Sequence, residues 1–280
     1  MIASNNFFVK GLMRFLPNGR VFGVGGRNDN AKRLFRHAVT RKQSLHTNCL
    51  FSFCQIENFV YNNNMIDSKF VLAELEKMYP NPHCELVFEN NYQLIVAVIL
   101  SAQCTDKRVN MVTPALFEKY PTIEALANAD IREVESMIKT CGLFQAKAKN
   151  LISMSQKVVE KFGGKIPSNF DDLVALDGVG RKTANVVLGV GFGKNTIAVD
   201  THVFRVSNRL GLVRAKNVLE YEKQLQKKFE PNDWTNLHYM LVLFGRYRCT
   251  AKKPQCEGCP FWDECKYRRK YVSGQSEDKN

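Results

Sequence analysis

Two groups of residues in this 280-residue chain have the types and spacing of working chemistry. Cys249, Cys256, Cys259 and Cys265 run as C-x6-C-x2-C-x5-C within 17 residues, so four thiolates can reach one metal centre. Structural zinc usually takes two short C-x2-4-C knuckles, and only Cys256 and Cys259 form one here. A compact run with a Cys259-Pro260 pair suits a cubane iron–sulfur cluster better, with zinc as the alternative. The second group is Leu176-Asp177-Gly178-Val179-Gly180-Arg181-Lys182-Thr183-Ala184, two glycines between helical patterns, followed by Val199-Asp200-Thr201-His202. It is not a P-loop, because no Gly precedes Lys182, and not a dinucleotide fingerprint, because Thr183 takes the third glycine position and no strand precedes. What remains is a helix-hairpin-helix. Its N–H groups at Gly178, Gly180 and Arg181 can hold one DNA phosphate without reading sequence, while a plain inter-helix turn would need no function.

Lys182 falls in the first turn of the second helix, where the positive helix end disfavours a cation. The dipole and Arg181 both favour the neutral amine, the form that attacks an electrophilic sugar carbon; the blander reading is a surface lysine. Asp200 takes a helix N-cap position. Beside an amine, a carboxylate there can also stabilise a cationic sugar as its base departs or accept the lysine's proton, and residue types alone leave cap and catalyst both open. His202 reads as a structural histidine. Around the four cysteines stand Arg246, Arg248, Lys252, Lys253, Lys266, Arg268, Arg269 and Lys270, against Glu257, Asp263 and Glu264. The loop Lys252-Lys253-Pro254 therefore reads as a phosphate contact, with a solvated charged face as the alternative.

Elements must position these groups, and composition bounds what they build. Forty basic against 27 acidic side chains leave +13, which favours a polyanionic partner, nucleic acid before membrane. With 45% hydrophobic and 24% charged residues the chain is not of the disordered class, and its length suits about two domains. The longest apolar run, Leu94 to Leu100, is far short of the about 20 residues that span a bilayer. Nine cysteines without a secretory signal imply a reducing compartment, and Cys49, Cys54, Cys84, Cys104 and Cys141 read as ordinary small apolar residues. Helix signals recur after Met65. Asp130 with Glu133 resembles a capping box ahead of Ile131, Val134 and Ile138, with Gly142 as the stop; Leu151, Met154 and Val158 precede Gly163-Gly164; Ser168 precedes Leu173 and Leu176; Val203, Val206 and Leu210 precede Gly211. The fold class is all-α. Residues 1–65 form a basic, acid-poor leader expected to be disordered, a mitochondrial transit segment being the alternative, and 271–280 read as a frayed tail.

Leu100-Ser101-Ala102-Gln103-Cys104-Thr105-Asp106, the hairpin through Gly180-Arg181-Lys182-Thr183-Ala184-Asn185, Val199-Asp200-Thr201-His202 and the four-cysteine run occur in an order that resembles endonuclease III, over about residues 66 to 270. The likeness is closer to bacterial members than to nuclear or mitochondrial ones. It implies a base-excision DNA glycosylase for oxidised pyrimidines with β-lyase activity, acting as a monomer on duplex DNA, and a [4Fe-4S] cluster. It implies a six-helix barrel with the hairpin over 84–194 and a cluster domain made of 66–83 with 195–270. Lys182 matches the Schiff-base lysine and Asp200 the catalytic aspartate, while Gln103 and Leu143 match the residues that fill the gap and wedge the duplex when a damaged nucleotide flips out. The implied reaction is attack of Lys182 on C1′, loss of the base, an imine, β-elimination and hydrolysis, with no redox step or catalytic divalent metal. A cytoplasmic, nucleoid location follows for a bacterial protein, and a mitochondrial or nuclear one if the leader targets.

Two positions depart from the family pattern. Asp177 stands where Pro is common, putting a carboxylate near the expected phosphate contact, and Asn195 replaces the usual Pro before the aspartate. The nearest rival, an adenine-mismatch glycosylase, uses no Schiff-base lysine and usually carries a long C-terminal domain. A rival of another class, a non-catalytic DNA-binding module, would use Lys182 only as a phosphate contact.

Overall fold

The computed structural model describes residues 13–15, 21–23 and 65–268. The chain divides into two compact units, Met1–Phe59 and Val60–Asn280. In the first, β1 (Met13–Phe15) and β2 (Val21–Gly23) pair antiparallel with Arg14 opposite Phe22, a short ladder that is the one exception to helix among the described residues. The rest of the expected disordered leader and the expected frayed tail lie outside the described residues.

The second unit is helical: α1 (Ser68–Met78), α2 (Asn91–Leu100), α3 (Asp106–Lys119), α4 (Ile123–Ala127), α5 (Ile131–Met137), α6 (Phe144–Phe162), α7 (Phe170–Val174), α8 (Arg181–Phe192), α9 (Thr201–Leu210), α10 (Val218–Lys228) and α11 (Trp234–Tyr247). Two apolar cores lie within it. One gathers side chains from Leu86 to Leu188 with Ala198, and the other joins Ile66, Val71 and Leu75 to residues between Ile197 and Phe261. The apolar run of α2 is buried all round and packs on α3, α6 and α8, as expected of a helix with no polar face. In the second core α11 packs against α9 and α1, closing the chain's return.

The helix ends obey local chemistry, with three corrections. Asp130 caps α5 by accepting from the Arg132 and Glu133 amides, yet Glu133 does not return the bond. Its carboxylate instead accepts from Lys119 and the Tyr120 hydroxyl, so the pair is a simple cap, not a capping box. α5 also ends at Met137 rather than running to Gly142. The cap of α7 is Asn169, one residue beyond the expected Ser168. Gly163 and Gly211, both left-handed, end α6 and α9 as the sequence predicts.

Candidate active site and metal centre

The hairpin joins α7 to α8. Gly178 has φ +76°, and a Cβ there would lie 3.0 Å from that of Asn150, so both backbone and packing require glycine. Gly178→Ala is expected to cost about 1–2 kcal/mol, read as a lower urea midpoint at unchanged slope; an unchanged midpoint contradicts the crowding. Gly180 differs. Its φ is −88° and a Cβ would meet nothing within 4 Å, so packing does not explain it. Without a side-chain cap, the amides opening α8 have no acceptor inside the helix and lie beneath a residue that lets an anion come close. Asp177, the expected obstacle to a phosphate, is occupied: it accepts from the Ser153 hydroxyl and from Lys157 Nζ at 2.9 Å, and these partners hold its carboxyl below the usual range.

Lys182, the second residue of α8, is exposed, and no hydrogen bond or ion pair holds its amine among the described residues. Asp200 caps α9, and both bonds, from the His202 and Val203 amides at 2.8 Å, fall on the same oxygen, Oδ1. Oδ2 stays outside the cap, so one carboxylate can hold the helix end and still act on a neighbour. His238 of α11 packs against the segment ahead of Asp200. Its ring, fully buried, hydrogen-bonds the Ala198 carbonyl through Nδ1 at 2.7 Å and feels the charges of both Lys182 and Asp200. Burial pushes it down to about 4, so it stays a neutral N–H donor holding the strand of chain that leads to Asp200. His202 is half-buried with Nδ1 3.1 Å from Arg205 Nη2, a structural placement.

All four cysteines of the C-terminal run line one small cavity, closed by Leu210, Phe244, Trp262 and Tyr267. Among the described residues no three His, Cys, Asp or Glu side chains gather tightly enough to share a single ion. Each thiolate of a cubane binds a different iron, and four thiols lining one cavity fit such a group. Burial pushes the Cys249, Cys256 and Cys265 thiols up, and Arg209, buried beside them, offsets this at Cys249 by donating to its Sγ at 3.6 Å. A buried cation suits an anionic thiolate-bound cluster.

Residues 96–231 match the model of the HhH-GPD superfamily base excision DNA repair proteins, and residues 249–265 match the iron-sulfur binding domain of endonuclease III, whose bounds coincide with the outer cysteines. The endonuclease III of Bacillus subtilis is 47% identical over 77% of this chain and 96% of its own. The chain belongs to the endonuclease III family. The endonuclease III of Escherichia coli is 42% identical over 71% of this chain and 95% of its own. The solved "Structure of a non-covalent Endonuclease III-DNA Complex" matches with a TM-score of 0.71 at 45% identity, covering 73% of this chain and 96% of that one. A "Structure of a Trapped Endonuclease III-DNA Covalent Intermediate: Estranged-Adenine Complex" matches equally well at 46%.

Placed in this endonuclease III frame, two arginines near the site are paired with carboxylates. Arg181 donates from Nε and Nη2 to Glu222 at 2.8 and 2.7 Å and lies over the Phe170 ring, so its charge is balanced by α10 rather than offered to DNA or set against Lys182. Only its backbone amide remains for the hairpin. Glu222, 4% exposed in its side chain, also accepts from Asn185. Arg181→Ala would leave a buried carboxylate half-paired, an expected loss of about 2 kcal/mol in urea unfolding; an unchanged midpoint would show that the pair adds nothing. Arg246 is the second: Asp106 at 2.6 Å and Glu85 hold it, a bridge between the two apolar cores. Lys252 and Lys253 do project to solvent, on a loop fixed by the Thr250 hydroxyl donating to the Lys253 carbonyl at 2.7 Å.

Gln103 and Leu143 are the only non-glycine residues with positive φ among those described, at +53° and +58°, and Leu143 is 60% exposed. An exposed apolar side chain on a left-handed backbone is uncommon, and such backbone outliers cluster at functional sites. Sequence reading missed His238, Asn185 and Glu222. Each stands on a helix as an ordinary polar residue, and only the fold shows what it touches.

Proposed function

We propose that Lys182 is the nucleophile and Asp200 its electrostatic and proton-accepting partner in this chain's reaction. The chain is a base-excision-repair DNA glycosylase for oxidised pyrimidines that also cleaves abasic sites, and it carries a [4Fe-4S] cluster. The observation that carries the assignment is a carboxylate that caps α9 through one oxygen alone, together with an exposed amine that no hydrogen bond or ion pair holds among the described residues. Lys182 attacks C1′ of a flipped nucleotide, the glycosidic bond breaks, and the base leaves with its electrons. Asp200 Oδ2 stabilises positive charge building on the sugar and takes the amine's proton. The resulting imine acidifies the C2′ proton, β-elimination breaks the 3′ C–O bond, and water releases the enzyme. A covalent enzyme–DNA intermediate, as trapped in the similar endonuclease III, needs such a nucleophile.

Gly178, Gly180 and the first amides of α8 hold a phosphate, Gln103 and Leu143 occupy the gap left by flipping, and Lys252 with Lys253 meets backbone phosphates. The two apolar cores serve as two domains, 84–194 and 66–83 with 195–270, bridged by the Arg246–Asp106 and Arg181–Glu222 pairs. When bound, the cluster supplies a rigid cross-link among Cys249, Cys256, Cys259 and Cys265, which fixes the basic loop. The enzyme works as a monomer wherever the DNA lies, in the nucleoid of a bacterial cell; among the described residues no helix is long and apolar enough to cross a membrane.

Borohydride trapping on a duplex with one thymine glycol tests the reaction: a lesion-dependent protein–DNA adduct is expected, and binding without an adduct would leave only a binding module. Replacing Lys252 and Lys253 together with Ala is expected to lower the slope of log affinity against log salt by about 2. An unchanged slope would return that loop to a solvated charged face.

A further inference from the structure

We propose that Cys104 and Cys141 form a peroxide-sensitive dithiol, a reversible disulfide site that ties together the loops presenting Gln103 and Leu143. Sequence alone made both cysteines ordinary small apolar residues. In the fold, Cys104 closes the turn after α2, with its amide bonded to the Ser101 carbonyl, and Cys141 closes the turn after α5, with its amide on Ile138. The two loops touch: a Cβ on Gly142 would lie 3.1 Å from the Gln103 carbonyl oxygen, so glycine is what allows the approach. Across this contact each thiol acts electrostatically on the other.

The surroundings suit an attacking and a resolving sulfur. Cys104 lines an open cleft of about 740 Å³ bordered by Thr105, Asp106 and His202, so a small oxidant reaches it from solvent. Cys141 is buried behind it. Lys147, 4% exposed, donates to the Leu100 carbonyl at 2.8 Å and acts electrostatically on both sulfurs. Burial pushes the Cys141 thiol up to about 11, which suits the resolving rather than the attacking sulfur.

The oxidant is a hydroperoxide. The Cys104 sulfur attacks one peroxide oxygen; the S–O bond forms, the O–O bond breaks, and the leaving oxygen takes the thiol's proton. The Cys141 sulfur then attacks the Cys104 sulfenic acid; the S–S bond forms, the S–O bond breaks, and hydroxide leaves as water with the Cys141 proton. The thiol pair loses two electrons and the peroxide gains them. A small dithiol or monothiol reverses the change by exchange.

The test treats the cluster-loaded protein with hydrogen peroxide near equimolar amounts and maps its peptides without reduction. The expected result is a Cys104–Cys141 linked peptide, lighter by two hydrogens than the separate pair and released by dithiothreitol. In Cys141→Ser protein, Cys104 should stop at a sulfenic acid that dimedone traps. Visible absorption of the cluster is followed throughout. No linked peptide while that absorption is intact, or linkage to Cys84 instead, overturns the site. Incision of a thymine glycol duplex is expected to slow several-fold in the oxidised form and to recover with dithiothreitol, but not to respond in Cys141→Ser. That effect rests on the roles proposed for Gln103 and Leu143, whereas the peptide map does not. A linked peptide with unchanged incision therefore overturns the control of the loops and leaves the chemistry of the site standing.

Discussion

Lys182→Gln protein is expected to bind a thymine glycol duplex within about threefold of the wild type while losing the borohydride adduct and at least about 1000-fold in strand incision. The size follows from what is removed. An amide nitrogen is not nucleophilic, so the covalent route is closed, and only water remains to attack the sugar. The contrast between binding and turnover follows from the setting: the side chain is exposed and holds no partner, so its replacement leaves packing intact and stability within about 0.5 kcal/mol. Gel-shift affinity, single-turnover incision and trapping on the same lesion duplex read the three quantities together. If the variant still forms an adduct, the nucleophile is another amine. If affinity and salt slope fall while incision persists, Lys182 is a phosphate contact, as in a binding module.

Asp200→Asn should separate two duties held by one side chain. The cap uses Oδ1 alone, and an asparagine carbonyl accepts the same two amide bonds, so unfolding is expected to shift by under about 0.5 kcal/mol. The charge at Oδ2 is lost. Without it, the cationic sugar is less stabilised and the amine's proton has no acceptor, so base release is expected to slow by about 100- to 10,000-fold. Cleavage of a preformed abasic site, which needs no glycosidic step, should suffer less. Asp200→Ala supplies the complement, losing the cap and about 1 kcal/mol as well. Marked unfolding of the Asn variant would reduce Asp200 to a cap, and unchanged turnover would remove it from the chemistry.

The two variants probe residues of very different legibility. Lys182 was legible because its oddity is local: a lysine in the first turn of a helix that follows Gly-x-Gly can be seen in nine consecutive residues. Asp200 was legible as a cap for the same reason, but whether it was also free to act was not, because that depends on which oxygen the cap uses. The Arg181 side chain was not legible: its partner, Glu222, lies on α10, and the guanidinium is satisfied there. Gly142 misled: it read as a helix stop, while its real constraint is the Gln103 carbonyl on another loop.

The sequence by itself determined the all-helical second unit, the caps and glycine ends of most of its helices, the hairpin, and the run of four cysteines that line one cavity. These features are written within a few residues to a few turns, where hydrogen-bonding partners and side-chain period are fixed by chain connectivity. Only the tertiary structure decided that His238 holds the Ala198 carbonyl ahead of Asp200, that Arg181 and Arg246 pair with carboxylates joining two cores, and that the loops of Gln103 and Gly142 touch. Those pairings join helices distant in sequence, and no local periodicity encodes which charged or polar side chain will face which when the apolar stripes are buried.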